Sequence, residues 1–388
     1  MFLSIIVYSL TAFILYYLGR NIALGDTLYR NLYGQTKPFW SIEQMAIILT
    51  FVFISGARYC VGSDYLSYLL NYLSVQVNGW SIRSTFEPGF TFVTELMAKN
   101  NVHFSFFFSL WAFIQIFFVY YSLKDCKFLY PYIGTVLLLS PFFGTLMNGI
   151  RQATVACVFL YLTQFIKERK LFPYITGILI CSLFHKSSMI LIPLYFIFYR
   201  DYNLNRFVCI TILVICTIVG NFYNFSIFSD LFSKIFNVLE YDSYSENIGS
   251  ILEESRNLTF GPTRFLTLSV NIALIYLYPK IRIYFSDDKM LNLYFILFFI
   301  GACWSSLFVN SYLMIRLSLY FEIFTLVITV YTLYFLSKLE NRNTFYIFSF
   351  LVYSYIYLSL LKVYISGAKF SVLYYKFFFL EDLNNLIL

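Results

Sequence analysis

The sequence predicts an all-α fold, a polytopic transmembrane helix bundle, on the basis of its composition and the length of its apolar runs. The chain has 388 residues, of which 60% are hydrophobic and 12% charged, and its mean hydropathy is +0.72. Apolar runs of about 17–25 residues, the length that an α-helix needs to cross a bilayer, follow one another along most of it. We therefore expect about twelve spanning helices in a single integral-membrane domain that covers residues 1–388.

The expected spans are separated mostly by short polar connections. The first lacks a preceding basic region and a following cleavage site, so we interpret it as a span and not as a removable signal peptide. The pair 171–185 and 187–199 is short, which favours a tilted or broken arrangement. In order, the spans cover residues 2–19, 42–57, 102–123, 128–146, 149–166, 171–185, 187–199, 206–222, 264–279, 290–309, 313–336 and 344–361.

The distribution of Lys and Arg predicts the orientation of the bundle. Short connections on one side carry more basic than acidic residues, which by the positive-inside rule places them in the cytoplasm. The net charge of +7 then mostly reflects this topology, and we expect membrane lipid and no nucleic acid as a partner. The two long connections, residues 58–101 and 223–263, would both face outward.

Both long connections contain patterns typical of amphipathic helices. Apolar residues recur at helical spacing over residues 228–239 and again over residues 64–75. The run Glu87-Pro88-Gly89-Phe90 predicts the start of another helix, because Pro is well suited to a first turn. We expect these outward-facing helices to form a shelf or lid over a cavity.

Four arginines lie at or near the ends of apolar segments: Arg58, Arg151, Arg264 and Arg316. An Arg at mid-membrane costs roughly 2.5–3.5 kcal/mol on insertion scales, so such residues usually face a water-filled cavity. Their forked N–H donors match phosphate oxygens, and we expect them to bind a diphosphate at the outer face. The alternative is that each one simply reaches the lipid headgroups and anchors its helix.

Three residues near the same outer face could act as a general base: His185, Asp64 and Glu87. An imidazole titrates near neutral pH, and the adjacent charge of Lys186 would favour its neutral form. Either carboxylate could instead pair with a neighbouring Arg and hold it in place. His185 could also be a core residue with its hydrogen bonds satisfied, and we interpret His103 as interfacial.

Further residues are expected to support these groups: Tyr65, Gln152, Lys186 and Tyr320. The seven cysteines are scattered without a C-x-x-C pair, and two histidines are too few for a His-rich metal site. We therefore expect no metal and no cofactor.

The order of four short motifs resembles the EpsG family, bacterial polysaccharide polymerases related to the Wzy-type O-antigen polymerases. The resemblance covers residues 45–200, and the family usually has Thr where Ser63 stands, which keeps the hydroxyl. The motifs are Arg58 with Gly62-Ser63-Asp64-Tyr65, Glu87-Pro88-Gly89-Phe90, Asn148-Gly149-Ile150-Arg151-Gln152-Ala153 and Phe184-His185-Lys186-Ser187-Ser188.

The resemblance implies a multi-span glycosyltransferase of the GT-C type in the bacterial inner (cytoplasmic) membrane, with its active site facing the periplasm. It would serve lipopolysaccharide or other surface-polysaccharide biosynthesis by transferring a growing glycan from undecaprenyl diphosphate to a hydroxyl of the next lipid-linked repeat unit. The donor and acceptor oligosaccharides, both linked to undecaprenyl diphosphate, and a chain-length co-polymerase are the implied partners. The arginines would stabilise the leaving diphosphate, and His185 or Asp64 would take the hydroxyl proton.

Other functions fit parts of the same pattern. An O-antigen ligase shares the chemistry and differs in its acceptor. A flippase or exporter of lipid-linked oligosaccharide would also use a basic cavity, although internal repeats are then expected. A membrane O-acyltransferase would offer a lone membrane histidine but needs no cluster of arginines.

Overall fold

A computed structural model describes residues 2–80, 86–222, 261–339, 343, 345–349 and 375–380, whose helices are joined by turns and irregular segments, with no strand among them. Short 3₁₀ helices cover Lys127–Leu129, Lys186–Leu191 and Phe378–Leu380. The α-helices are α1 (Phe2–Tyr33), α2 (Ile42–Gly56), α3 (Tyr65–Asn78), α4 (Pro88–Lys99), α5 (Phe104–Ser122), α6 (Tyr130–Leu139), α7 (Pro141–Asn148), α8 (Ile150–Lys167), α9 (Leu171–Ser182), α10 (Ile192–Phe198), α11 (Arg206–Phe222), α12 (Pro262–Tyr284), α13 (Leu291–Leu307) and α14 (Tyr312–Ser337).

Among the described residues, four helices are long and apolar enough to cross a bilayer: α1, α5, α12 and α14. A fifth is counted if the bent pair Lys127–Leu139 and Pro141–Asn148 forms one span. Several shorter apolar helices, including α2, α11 and α13, follow the other predicted segments. The all-α prediction is confirmed for this part of the chain, whereas the total of about twelve spans stays a prediction.

Two helices differ from the segments that the sequence predicts. The first continues to Tyr33 instead of ending near residue 19, because Asp26 in its extension pairs with Arg30 at 2.7 Å and with Lys127 at 3.5 Å. The predicted span 128–146 bends by 69° before Pro141. Proline has no N–H to continue the preceding helix and is well suited to start a new one.

Two sequence predictions fall largely on residues that the structure does not describe. The amphipathic helix expected over residues 228–239 lies wholly outside the described residues, and so does most of the last predicted span, 344–361. By contrast, the helix expected over residues 64–75 is present as α3 and buries its predicted face, including Tyr65, Leu69 and Tyr72. Helix α4 begins at Pro88, as the sequence indicates.

The chain folds into two compact units, and each is described by itself. The first comprises residues 1–162, 179–185 and 356–388, and the second comprises residues 163–178 and 186–355. The organisation of residues 1–388 as one integral-membrane domain stays a prediction.

In the first unit, α1 packs against α2 and α6, and α5 packs against α2, α3 and α4. The space between α3, α4 and α5 is filled by an aromatic core that includes Tyr65, Tyr72, Phe90, Phe107 and Trp111. Offset and edge-to-face ring pairs stabilise such a core beyond the burial of apolar area. It fixes the start of α4 close to α8 and to the turn after α9.

A short segment from the end of the chain also belongs to the first unit. The N–H of Tyr59 donates to Lys376 O at 2.8 Å, and the N–H of Phe378 donates to Ala57 O at 3.0 Å. The hydroxyl of Tyr375 donates to Ile54 O at 2.8 Å. Residues 375–380 therefore hold the chain where it leaves α2.

In the second unit, α13 lies against α11, α12 and α14, and α12 also contacts α11 and α14. The rings of Tyr278 and Phe295 stack with their centroids 3.5 Å apart, and the Tyr278 hydroxyl donates to Asn292 at 2.9 Å. Buried polar groups of this kind are tolerated when they find a hydrogen-bond partner.

Candidate active site

Three separate elements of the first unit bring Glu87, Arg151 and His185 together. Glu87 is the residue before α4, Arg151 lies in the first turn of α8, and His185 follows α9. The approach of α4 to the turn after α9 depends on Gly89, whose N–H donates to Leu183 O at 2.8 Å. A Cβ atom at Gly89 would lie 2.8 Å from that same carbonyl oxygen, so only glycine fits.

These three residues form what we call the Glu87 cluster. One carboxylate oxygen of Glu87, Oε2, accepts from Nη1 of Arg151, and the other, Oε1, lies 2.9 Å from Nδ1 of His185. The side chains of Glu87, Arg151 and His185 are 5%, 20% and 17% exposed, so the carboxylate is covered while its two partners reach the surface. The hydrogen-bond network assigns the proton to Nδ1, because an ionised carboxylate is an acceptor only.

The guanidinium of Arg151 is held by aromatic rings as well as by Glu87. Its central carbon lies 4.5 Å from the ring centroid of Phe86 and 5.5 Å from that of Phe90, which are cation–π distances. The side chain of Tyr68 also interacts with it. Its Nε is buried without a hydrogen-bond partner among the described residues, so one donor of the fork remains unused.

The electrostatics of the cluster keep Glu87 ionised. Burial by itself would raise the pKa of this carboxyl, but the hydrogen bond from His185 and the positive charge of Arg151 lower the pKa to about 2. A carboxylate of such low pKa is a poor proton acceptor at neutral pH. Of the two roles that the sequence leaves open for Glu87, the contacts favour pairing with a neighbouring Arg.

Asp64, the other predicted carboxylate, lies at the start of α3 on a turn that docks onto the end of α7. Asn148 Oδ1 accepts from the Ser63 hydroxyl at 2.9 Å and from the Asp64 N–H at 2.8 Å. The turn needs glycine at Gly62, where φ is +102° and a Cβ would lie 3.2 Å from Met147 O. The carboxylate of Asp64 makes no side-chain hydrogen bond to the helix that it precedes.

Arg58 lies in the same unit but in a different setting. It is 2% exposed, and its guanidinium donates to Ser55 O at 2.6 Å and to Met147 O at 3.0 Å. The guanidinium lies 4.8 Å from the centroid of the Phe108 ring. The backbone carbonyl of Arg58 accepts a hydrogen bond from the Tyr65 hydroxyl at 3.1 Å. These contacts are those of a structural clamp, and diphosphate binding by Arg58 stays a prediction.

Two of the predicted diphosphate ligands and two of the predicted supporting residues lie in the second unit. Arg264, in the first turn of α12, donates to the side-chain oxygens of Asn221 and Asn310. Arg316 lies in the second turn of α14, and the buried Tyr320 hydroxyl is 2.6 Å from that of Ser187. The participation of these residues in one site with Arg151 stays a prediction.

The remaining predicted supporting residues have simple placements. Gln152 is buried next to Arg151 on α8, and Lys186 begins a 3₁₀ helix in the second unit. His103 is the N-cap of α5, where its Nδ1 accepts from the Ser105 N–H. The sequence interpretation of His103 as interfacial missed this capping role.

Other residues of the site are absent from the sequence-based list of candidates. Phe86 and Phe90 support Arg151, Gly89 sets the approach of α4, and Asn148 orients the turn at Asp64. A motif with Gly89 in a first helical turn could have indicated a close backbone approach. In the described part of the chain, no three His, Cys, Asp or Glu side chains lie close enough together to hold a metal ion.

Comparison with known proteins returns one family. A model of the EpsG family matches residues 41–377, a range that contains Asp64, Glu87, Arg151 and His185. No curated protein and no solved structure matches the chain. The apolar helices and the family together fit a membrane protein of polysaccharide biosynthesis. Because the match covers most of its length, this chain belongs to the EpsG family.

Proposed function

We propose that the chain is a polysaccharide polymerase, a glycosyltransferase with about twelve spans and a GT-C-like architecture. Its site would face the periplasm from the bacterial inner membrane. The substrates would be two oligosaccharides linked to undecaprenyl diphosphate, the donor carrying the growing glycan and the acceptor one repeat unit. The observation that carries the proposal is the Glu87 cluster, which places an oriented guanidinium and an oriented imidazole on the same buried carboxylate.

Arg151 would bind the diphosphate of the donor. The acceptor hydroxyl attacks the anomeric carbon, the bond from that carbon to the diphosphate oxygen breaks, and the electron pair leaves with undecaprenyl diphosphate. Negative charge therefore grows on the diphosphate during the reaction, and a fixed cation next to it lowers the barrier. Arg151 suits this role because Phe86 and Phe90 hold its guanidinium and its Nε has no partner among the described residues.

His185 would take the proton of the attacking hydroxyl. Glu87 holds Nδ1–H, which leaves Nε2 as the basic nitrogen of the neutral ring. A positioned general base contributes about 10²–10⁴ in rate. Asp64 is the alternative base, because its carboxylate is only partly buried and makes no helix-capping hydrogen bond.

Further parts of the proposal come from the sequence alone. Arg264 and Arg316 would add donors for diphosphate oxygens, and a chain-length co-polymerase would set the length of the polymer. An O-antigen ligase and a flippase of lipid-linked oligosaccharide stay alternatives. No contact in the described residues favours either alternative over a polymerase.

The test uses the purified full chain in lipid nanodiscs with an undecaprenyl-diphosphate-linked repeat unit. Products are separated on a gel, and released undecaprenyl diphosphate is measured. We expect a ladder of products from the wild type and none from Arg151→Ala or His185→Ala. Lys99→Ala, at an exposed ion pair with Glu95, and His103→Gln, at the other histidine, are the matched controls and should keep the ladder.

The possible results separate the alternatives. A ladder from His185→Ala would move the base to Asp64. Transfer to lipid A core, without a ladder, would identify a ligase. Repeat units that cross a sealed bilayer without any new glycosidic bond would identify a transporter and overturn the enzymatic proposal.

A further inference from the structure

We infer that Glu87 is a positioning residue that couples binding of the donor diphosphate at Arg151 to the proton affinity of His185. This inference rests on the proposed function, since it assigns the diphosphate and the base to those two residues. It adds that the two roles are linked through one carboxylate. The base would become strong only when the leaving group is in place.

The carboxylate of Glu87 lies between the two groups that it would couple. Glu87 contacts both partners, with Oε2 on Arg151 and Oε1 at 2.9 Å from His185 Nδ1. The carboxylate is 5% exposed, so little water competes with these partners for its charge.

A bound diphosphate would be a second negatively charged partner for Arg151, besides Glu87. In the structure, Glu87 neutralises the guanidinium, and the nearby Nε has no partner. A diphosphate draws the same guanidinium into charge-assisted hydrogen bonds, which are about twice as strong as neutral ones. The attraction of Glu87 to Arg151 then weakens, and the uncompensated carboxylate favours a protonated imidazole more strongly. An opposite charge within hydrogen-bond distance typically moves a titration by about 1–3 pH units.

Other charged and titratable groups lie near the Glu87 cluster. Tyr68, on α3, lies within electrostatic reach of Glu87, of Arg151 and of Asp64, the residue before α3. Lys186 follows His185 directly in the chain. Among the described residues, Glu87 is the group that contacts both the proposed diphosphate ligand and the proposed base.

The first measurement observes the imidazole directly and needs no turnover. The chain has two histidines, so a His103→Gln variant labelled with ¹⁵N-histidine reports His185 alone. The full chain in nanodiscs is titrated by NMR with and without saturating inorganic pyrophosphate. We expect pyrophosphate to raise the midpoint of the titration by about 1 pH unit. An unchanged midpoint would overturn the inference.

The variant Glu87→Gln separates coupling through the carboxylate from a direct effect of pyrophosphate on the ring. It keeps the shape of the side chain and removes its charge. We expect the shift on adding pyrophosphate to be lost in this variant, and an equal shift would overturn the inference. Glu87→Asp keeps the charge but is too short to reach both partners, so we expect a reduced shift if Glu87→Gln does not fold.

The reverse measurement uses the reciprocity of linked binding. If pyrophosphate raises the midpoint by about 1 pH unit, then protonating His185 must tighten pyrophosphate binding about tenfold. Calorimetry on either side of the midpoint should show this in the wild type and not in Glu87→Gln. The comparison between the two proteins cancels the ionisation of pyrophosphate itself.

The two proposals fail in different ways. A shift on adding pyrophosphate, without any polymer from a lipid-linked repeat unit, would support the coupling and overturn the polymerase. A polymer ladder with an unshifted histidine would do the opposite. Failure of pyrophosphate to bind at millimolar concentration would overturn the coupling, because Arg151 would then not be an anion site.

Discussion

Arg58 and Arg151 lie over aromatic rings in the same compact unit, but their guanidinium groups donate hydrogen bonds to different kinds of partner. The guanidinium of Arg58 donates to two backbone carbonyls and is 2% exposed. That of Arg151 contacts the carboxylate of Glu87 and keeps 20% of its side-chain surface exposed. Backbone carbonyls are fixed and carry no net charge, whereas a carboxylate can be exchanged for another anion. Two arginines with similar sequence surroundings are thus suited to different work, one to holding the fold and the other to chemistry.

The largest effect should come from substituting the two arginines in parallel. We expect Arg151→Ala to lower polymerisation about 10²–10³-fold while the protein stays folded, because a preorganised charge at the leaving group is lost. Arg58→Ala should mainly lower stability, since two buried carbonyls lose a charged donor worth about 1.5–3 kcal/mol each. Ladder assays and thermal unfolding in nanodiscs measure the two quantities. A folded, inactive Arg58→Ala protein would remove the distinction and place Arg58 among the diphosphate ligands.

The second prediction concerns Glu87, the partner of Arg151, which a substitution in the first turn of α4 would displace. In Gly89→Ala, the new Cβ would lie 2.8 Å from Leu183 O, so α4 must shift away from the turn that carries His185. We expect a roughly 10–100-fold loss of activity, because small misplacements of catalytic groups are costly.

Gly25→Ala in α1 is the matched control, since its Cβ would meet only Lys37 Nζ at 3.6 Å. It should keep full activity, and alanine in a helix should raise its stability slightly. Equal activity of the two variants would show that the approach of α4 to Leu183 does not control the site.

The third prediction concerns the turn beside Arg58 that carries Asp64. Asn148→Ala removes the acceptor of the Ser63 hydroxyl and the Asp64 N–H. The turn then loses two hydrogen bonds of about 0.5–1.5 kcal/mol each and holds Asp64 less firmly. We therefore expect about a tenfold loss of activity, measured by the ladder assay. Ser63→Thr keeps the hydroxyl and should stay active. If Ser63→Thr lost as much activity as Asn148→Ala, the contact between the hydroxyl and Asn148 would not explain the loss.

The smallest effect is a pH dependence of stability at Glu87. Its pKa of about 2 in the folded protein lies below the ordinary value of 4.5, so the carboxylate stabilises the fold above pH 4.5. This contribution is lost as the pH falls through about 2. The difference in Tm between the wild type and Glu87→Gln should therefore shrink as the pH falls from about 4.5 towards about 2. A difference that does not shrink over this acid range would contradict the lowered pKa of Glu87.

Sequence patterns predict the helices better than the contacts of the site. The apolar run 42–57 becomes α2, at Ile42–Gly56, because hydrophobic length is a local property. Pro88 likewise predicts the start of α4 by its own geometry. The sequence patterns missed the extension of α1 to Tyr33, because it depends on a contact with a residue distant in the sequence. They also missed the break before Pro141, because an apolar run does not show where one helix ends and the next begins.

The three residues of the Glu87 cluster were each named from the sequence, but their pairing was not. Glu87 lies 64 positions from Arg151 and 98 from His185, and nothing local decides which carboxylate reaches which cation. The choice depends on Gly89 and Leu183 meeting at 2.8 Å. For Glu87, the sequence leaves a role as base and pairing with an Arg equally open, and its contact with Arg151 favours the pairing. The role of Asp64 stays a prediction.

The hydrogen bonds between residues 375–380 and the end of α2 give the protein an order of assembly. Tyr375 and its acceptor Ile54 are 321 positions apart, so the ribosome must make most of the chain before this contact can form. At about 5–20 residues per second, this takes roughly 15–60 s. During that time the segment that carries Arg58 lacks its final support. Products of early termination would consequently reach the membrane with their spans inserted but without a finished site.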